Sequence, residues 1–220
     1  MKKTLIPGLI ILVFLSFLLT SCVPQAGEII WQKNTPQTVY LTFDDGPDPV
    51  NTPKILDILR DNGVKATFFV IGYKAKANPQ IIERINIEGH TLANHTYTHI
   101  DGYVIDRAVI KKELDNTHQT IFDASGVNVK LFRPPYGFFN WRAFKLAKEK
   151  GYKIAFWTFD ISDWNVHAAK EYVKTVNNNL ADGAIILMHD GGPKREELII
   201  ALPEIIKLIK EKGYKFSTNL

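Results

Sequence analysis

"VYLTFDDGPDP", residues 39–49, is an apolar run, Val39-Tyr40-Leu41-Thr42-Phe43, that stops on two adjacent carboxylates, Asp44 and Asp45, and then on Gly46 and Pro47. The run has the composition of a buried strand, and the Gly-Pro pair that of the turn ending it. Two like charges side by side repel, and burying either one without a partner is costly. The stretch therefore demands something positive at the end of a strand.

Outward from it, apolar, β-branched or aromatic runs alternate with helical patterns. Further strands are expected over 66–70, 90–93, 129–132, 153–159, 184–188 and 214–217. Between them lie helix-like segments over 52–61, 79–88, 106–123, 141–150, 168–180 and 196–212. Gly63, Gly89, Gly126, Gly151, Gly183 and Gly213 fall where these helices should end. Alternation of this kind argues for a parallel sheet in an α/β fold. About seven repeats suit a closed or nearly closed (β/α) barrel with helices outside, an open doubly wound sheet being the rival. The unusual polar residues Asp44, Asp45, His95, Arg133, Asp160 and His189 all follow the C-terminal end of an expected strand. Both architectures place their active sites at that end.

Length and composition bound the rest. The 220 residues, 45% of them hydrophobic, suffice for one domain with a substantial core. Met1-Lys2-Lys3 precedes an apolar stretch over 5–19, broken only by Pro7, Gly8 and Ser16. That is short for a bilayer-spanning helix of about 20 residues and has the anatomy of an export signal. Cys22 ends the stretch Leu19-Thr20-Ser21-Cys22 and is the only cysteine, so no internal disulfide is possible. The stretch resembles the lipobox of bacterial lipoproteins, which implies cleavage after residue 21, lipidation of Cys22, and an exported domain held at the membrane and facing the cell wall. Residues 22–37 then form a lipidated cysteine and tether, with 23–37 reaching about 50 Å when extended, and the domain occupies 38–220. Without residues 1–21 the chain holds 25 basic against 23 acidic residues, with no run of like charge or Arg-rich patch, so no nucleic-acid partner is expected.

Asn94-His95-Thr96-Tyr97-Thr98-His99 places two histidines four apart, a spacing that sets both rings on one face of a helical turn. Two imidazoles and one carboxylate make a three-ligand site for a divalent ion with a position left open for water. One of the opening aspartates could be the third ligand. Adjacent residues leaving a strand point to different sides, so the pair should divide its work between ligand and neighbouring base. By itself an H-x-x-x-H spacing also suits two surface histidines. Among the other candidates, His90 is expected to be buried and structural, His118 and His167 at the surface, Trp141 and Trp157 in the core, and Asp160 a fixer of its loop.

Five motifs in order carry a family resemblance: Thr42-Phe43-Asp44-Asp45-Gly46-Pro47, His95-Thr96-Tyr97-Thr98-His99, Arg133-Pro134-Pro135-Tyr136-Gly137, Asp160-Ile161-Ser162-Asp163-Trp164 and Leu187-Met188-His189. From about Gln37 to Lys215 the chain resembles the polysaccharide deacetylases, family 4 carbohydrate esterases with the NodB homology domain. The resemblance implies a distorted (β/α) barrel and metal-dependent removal of N-acetyl groups from N-acetylglucosamine units; the lipid anchor and short tether make peptidoglycan the leading polymer, the alternatives being chitooligosaccharides, poly-N-acetylglucosamine or acetylxylan as substrate, or a catalytically inactive glycan-binding lipoprotein. It implies Asp45, His95 and His99 as metal ligands, Asp44 as general base paired with Arg133, and the Tyr136 backbone N–H as an oxyanion donor. His189 is then the general acid, paired with Asp163, while Leu187, Trp164 and Tyr136 line the acetyl pocket and groove. The donor set suits Zn2+, with Co2+ or Mn2+ as substitutes; a monomer acting on an N-acetylated polysaccharide is expected. Two departures, Ala93 before Asn94 and Ile100-Asp101 after His99, bear on loop shape and substrate choice rather than on the reaction.

Overall fold

The alternation of apolar runs and amphipathic segments builds a parallel sheet curved into a partial barrel, with helices packed on its outer face. The computed structural model describes residues 29–101, 106–138, 140–165 and 167–220. The signal segment and Cys22 lie outside the described residues; among those described, no helix is long and apolar enough to cross a membrane.

The strands are β1 (Ile29–Ile30), β2 (Thr38–Asp44), β3 (Thr67–Val70), β4 (Thr91–Asn94), β5 (Leu131–Phe132), β6 (Lys153–Ala155), β7 (Phe159–Asp160), β8 (Ile185–His189) and β9 (Lys215–Phe216). The helices are α1 (Asn51–Asp61), α2 (Gly72–Ala77), α3 (Pro79–Ile87), α4 (Arg107–Ser125), α5 (Trp141–Glu149), α6 (Ala169–Asn179) and α7 (Glu196–Glu211). Across the sheet the order is β1-β6-β5-β4-β3-β2-β8-β7, with β9 pairing the start of β2, and every pairing is parallel. The expected distorted barrel is thus present. Its seam, between β1 and β7, has no ladder pair among the described residues and is bridged by Thr158, whose hydroxyl donates to the Trp31 carbonyl at 3.0 Å.

Successive residues of a strand face opposite sides, and here that alternation divides the core in two. Val39, Leu41 and Phe43 of β2 join Phe68, Val70, Ile186 and Met188 in a large outer core beneath the helices. The helices meet it with apolar stripes such as Ile55, Leu56 and Leu59 of α1 and Leu202, Ile205, Ile206 and Ile209 of α7. Tyr40 turns the other way and joins Ile30, Phe69, Ala93, Leu131, Ala155, Ile185 and Leu220 inside the barrel.

Two expectations need correction. The run over 153–159 is not one strand: the ladder stops at Ala155 and resumes at Phe159, and Trp157 in between turns toward the barrel mouth. More consequentially, part of the expected tether belongs to the fold. Ile29 and Ile30 pair with Ile154 and Ala155, and the Trp31 ring stacks on Phe156 with centroids 3.9 Å apart. Lys33 is fixed as well, its N–H donating to the Gly183 carbonyl at 3.0 Å. Gly183 has a φ of 71°, and a Cβ there would stand 1.5 Å from the Lys33 carbonyl oxygen, so this contact accepts only glycine. The boundary set at residue 38 is therefore too late, because a two-residue strand is too short to leave a periodic signal.

If residues 29–33 are part of the barrel, Ile30→Ala should lower unfolding stability by about 2–5 kcal/mol, the usual cost of truncating a buried isoleucine. Denaturant unfolding of the variant measures this, and an unchanged midpoint would return the segment to the tether.

Candidate active site

The same alternation that sorts the core delivers the polar residues to the barrel mouth. Asp44 follows Tyr40 and Thr42 on the inner face of β2, and in β8 the inner residues are Ile185, Leu187 and His189. The register pairs Thr42 with Leu187 and Asp44 with His189. A carboxylate and an imidazole thus end two neighbouring strands side by side.

The positive partner demanded by the opening stretch is Arg133, which is fully buried just past β5. Its Nη1 donates to Asp44 Oδ1 at 2.7 Å and to Thr42 Oγ1 at 2.9 Å. Nε and Nη2 donate to the carbonyls of Ala155 and Phe156 at 3.0 and 2.7 Å, and the guanidinium carbon lies 4.0 Å from the Phe69 ring centroid. Burial pushes the guanidinium's pKa down, and Asp44 beside it pushes back up. A buried cation needs a paired charge and saturated donors to persist, and Arg133 has both.

Asp45 turns away from its neighbour by adopting a φ of 71°, in the left-handed region. Its Oδ1 lies 3.4 Å from His95 Nε2 and 3.1 Å from His99 Nε2. One donor atom from each of the three residues falls within 4.8 Å of the others. His95 Nδ1 lies 2.8 Å from the Arg133 carbonyl, which can only accept, so Nδ1 carries the proton and the Nε2 lone pair faces Asp45. Asp45 Oδ1 is buried with no geometrically sound hydrogen bond. An orphaned carboxylate oxygen between two imidazole nitrogens is the donor set of a divalent cation.

The histidines do not meet by the expected route. Residues 95–99 form a loop rather than a helical turn, and Thr96 and His99 have φ values of 65° and 58°. Glu113 of α4, which carried no signal in the sequence, accepts the N–H groups of Tyr97 and Thr98, both at 2.7 Å.

At the end of β8, His189 Nδ1 lies 2.7 Å from Asp163 Oδ1, and the His189 N–H donates to Asp163 Oδ2 at 2.8 Å. Asp163 is buried, and Arg195 Nη1 donates to its carbonyl at 2.6 Å. Burial pulls the imidazole's pKa down, but Asp163 foremost, with Asp44 and Asp45, pushes it up to about 9. Asp190 next to it faces away from the cleft, accepting the Thr52 hydroxyl at 2.5 Å, and burial pushes its carboxyl up to about 7. A Cβ at Gly46 would stand 2.0 Å from Asp190 Oδ2, which explains the glycine after the aspartate pair.

These groups line a cleft of about 400 Å³ together with Pro134, Tyr136, Gly137, Trp157, Asp160, Trp164 and Leu187. Tyr136 and Trp164 are 68% and 62% exposed, so both rings offer open faces at the rim. The Tyr136 ring packs edge-on against His99, and Tyr136 has a φ of 60°. Asp160 fixes the opposite rim, accepting the Ser162 N–H at 2.6 Å and the Trp164 indole N–H at 3.0 Å. Trp157 packs against both cores and also lines the cleft, whereas Trp141, 75% exposed, is not the core residue that its aromatic character suggested. His90 is buried away from the cleft, where its Nδ1 accepts the Ala66 N–H at 3.1 Å and burial pushes it down to about 4. His118 is half-buried beside Tyr152, and His167 is exposed.

Removing one partner of a buried ion pair strands the other. Arg133→Met should therefore cost about 3–5 kcal/mol of stability, measured by denaturant unfolding at neutral pH; a loss below 1 kcal/mol would mean that Asp44 does not depend on Arg133.

Comparison with known proteins agrees with this geometry. The polysaccharide deacetylase family profile matches residues 32–155, which include Asp44, Asp45, His95, His99 and Arg133. A peptidoglycan-N-acetylglucosamine deacetylase of Bacillus cereus is 38% identical over 196 residues, covering 87% of this chain and 91% of that protein. A chitooligosaccharide deacetylase of Sinorhizobium fredii is 36% identical over 188 residues, covering 80% of this chain and 87% of its own length. The crystal structure of a peptidoglycan N-acetylglucosamine deacetylase in complex with 4-naphthalen-1-yl-N-oxidanyl-benzamide superposes with a TM-score of 0.83 at 34% identity, covering 86% of this chain and 89% of the other. With a profile that spans more than half the chain and relatives aligned over most of its length, this chain belongs to the polysaccharide deacetylase family.

Proposed function

We propose that the chain hydrolyses the N-acetyl group of N-acetylglucosamine units in a cell-wall polysaccharide, with peptidoglycan as the polymer. One observation carries the reading: a carboxylate paired with a buried guanidinium and an imidazole held protonated by a buried carboxylate share a cleft with a cation-binding donor set. The peptidoglycan choice draws on the relatives named above.

Asp45, His95 and His99 would hold the cation, which the two imidazoles and one carboxylate favour as Zn2+, with Co2+ or Mn2+ able to replace it. A cation bound there supplies Lewis acidity, polarising an acetamide carbonyl and acidifying water. Asp44 serves as general base. Its Oδ1 is fixed by Arg133, while its Oδ2 stays on the cleft side, 3.8 Å from His95 Nε2. An amine leaves only once protonated, and His189, protonated at neutral pH, donates to the departing nitrogen. The Tyr136 backbone N–H is offered to the developing oxyanion. Leu187 lines the acetyl pocket, and the open faces of Tyr136 and Trp164 flank the sugar.

Export through residues 1–21 and lipidation of Cys22 would hold the monomer at the outer face of the membrane, beside the wall. With Ile29 already paired in the sheet, the chain between Cys22 and the barrel could reach at most about 25 Å.

The test is acetate release by residues 23–220 from peptidoglycan, N-acetylglucosamine oligomers and acetylated xylan, after chelation and after Zn2+ is restored. Release from peptidoglycan that stops on chelation and returns with Zn2+ is expected. Release only from xylan would overturn the amide substrate, and release indifferent to chelation would overturn the cation. Asp44→Asn should retain Zn2+ and lose about 10²–10⁴-fold in kcat.

His189 must be protonated to act, so kcat/KM should fall as pH rises through about 9. Asp163→Asn removes the group that raises that value, so the alkaline limb should move down toward the ordinary imidazole range near about 6.5. A limb that stays in place would sever Asp163 from the acid.

A further inference from the structure

We propose that Glu113 is a positioning residue that sets the cation affinity of the site without touching the cation, an inference that rests on the ligand role given to Asp45, His95 and His99. The loop between the two histidines has almost no way to hold its own shape. Thr96 is β-branched, and its φ of 65° lies where such residues are rarely found; His99 repeats the left-handed conformation at 58°. Such backbone persists only where the surroundings over-determine it.

The determination comes from three directions. On the strand side, the Asn94 side-chain oxygen accepts the Thr96 N–H at 2.9 Å. On the α2 side, the N–H groups of Gly72 and Tyr73 donate to the carbonyls of Thr96 and Tyr97 at 2.9 and 3.0 Å. On the α4 side, Glu113 Oε2 accepts the N–H groups of Tyr97 and Thr98, and Oε1 accepts the Thr98 hydroxyl at 3.1 Å. Of these contacts, those of Glu113 are made by an ionisable side chain and reach closest in sequence to His99. Glu113 is itself buried, so no water replaces it freely.

Ionised, the carboxylate is an acceptor without a donor, which suits two converging N–H groups. Bonds of this charge-assisted kind are about twice as strong as neutral ones. Alanine at this position leaves both N–H groups without their acceptor and lets residues 97–99 relax toward ordinary backbone angles. That relaxation carries the His99 ring away from Asp45. Glutamine keeps one acceptor oxygen and the shape, and gives up the charge.

The experiment is Co2+ titration of the metal-free chain (residues 23–220), read from the visible absorption of the bound ion, with a chelator competing at known affinity. Wild type, Glu113→Gln, Glu113→Ala and Ile121→Ala are compared. Ile121 lies two turns further along α4 in the outer core, and its truncation reports lost stability without touching the loop. Weakening of about 10–100-fold is expected for Glu113→Ala, less for Glu113→Gln, and none for Ile121→Ala. Should Glu113→Ala fail to fold, the glutamine variant decides alone, because wild-type affinity in it removes the role of the charge. Wild-type affinity in Glu113→Ala, or an equal loss in Ile121→Ala, overturns the proposal. A wild-type chain that binds no Co2+ overturns the ligand assignment and this inference with it, whereas tight wild-type binding with unchanged variants overturns the role of Glu113 alone.

Discussion

A guanidinium with no exposed surface at the centre of a parallel barrel constrains everything near it. Arg133 donates to the carbonyls of Ala155 and Phe156 at the end of β6 and to the side chains of Thr42 and Asp44 in β2, so two stretches of chain are fixed relative to one cation. The carbonyl of the same residue accepts from His95 and thereby sets which imidazole nitrogen faces Asp45. One residue therefore orients Asp44 through its side chain and His95 through its backbone. Breaking the pair would leave Asp44 buried with no counter-ion, the costliest polar defect this interior could suffer.

Asp44 and His189 are kept apart by giving each its own partner. Asp44 is tied to Arg133 and His189 to Asp163, although the two sit in register on adjacent strands. Without those partners, a carboxylate and an imidazolium at neighbouring strand ends would pair with each other. Asp163 is held in turn by Arg195, so the imidazole, like the carboxylate, has a buried guanidinium behind it.

The sequence revealed the fold through its periodicity and the site through its strand ends. The run Val39-Tyr40-Leu41-Thr42-Phe43 is long and apolar enough to identify β2, and parallel topology then gathers every strand-end polar residue at one mouth. What stayed hidden is local. Ile29–Ile30 and Gly72–Ala77 are too short to show a period. The left-handed angles at Asp45, Thr96, His99 and Tyr136 fall on residues with no propensity for them strong enough to read, because tertiary hydrogen bonds impose them. The H-x-x-x-H spacing pointed to two imidazoles that do converge on Asp45, but by way of a helical turn that does not exist. Glu113 lacked any signal, since one glutamate in a polar helix looks like any other until its burial is known.

The short first strand also completes a common direction. β1 runs parallel to β6, so every strand of the sheet, from first to last, advances toward the end of the barrel that carries the cleft. The mouth is therefore a rim made wholly of strand exits and the loops that follow them. A polymer lying across that rim meets loops, which can change in length and shape without disturbing a single ladder pair beneath them.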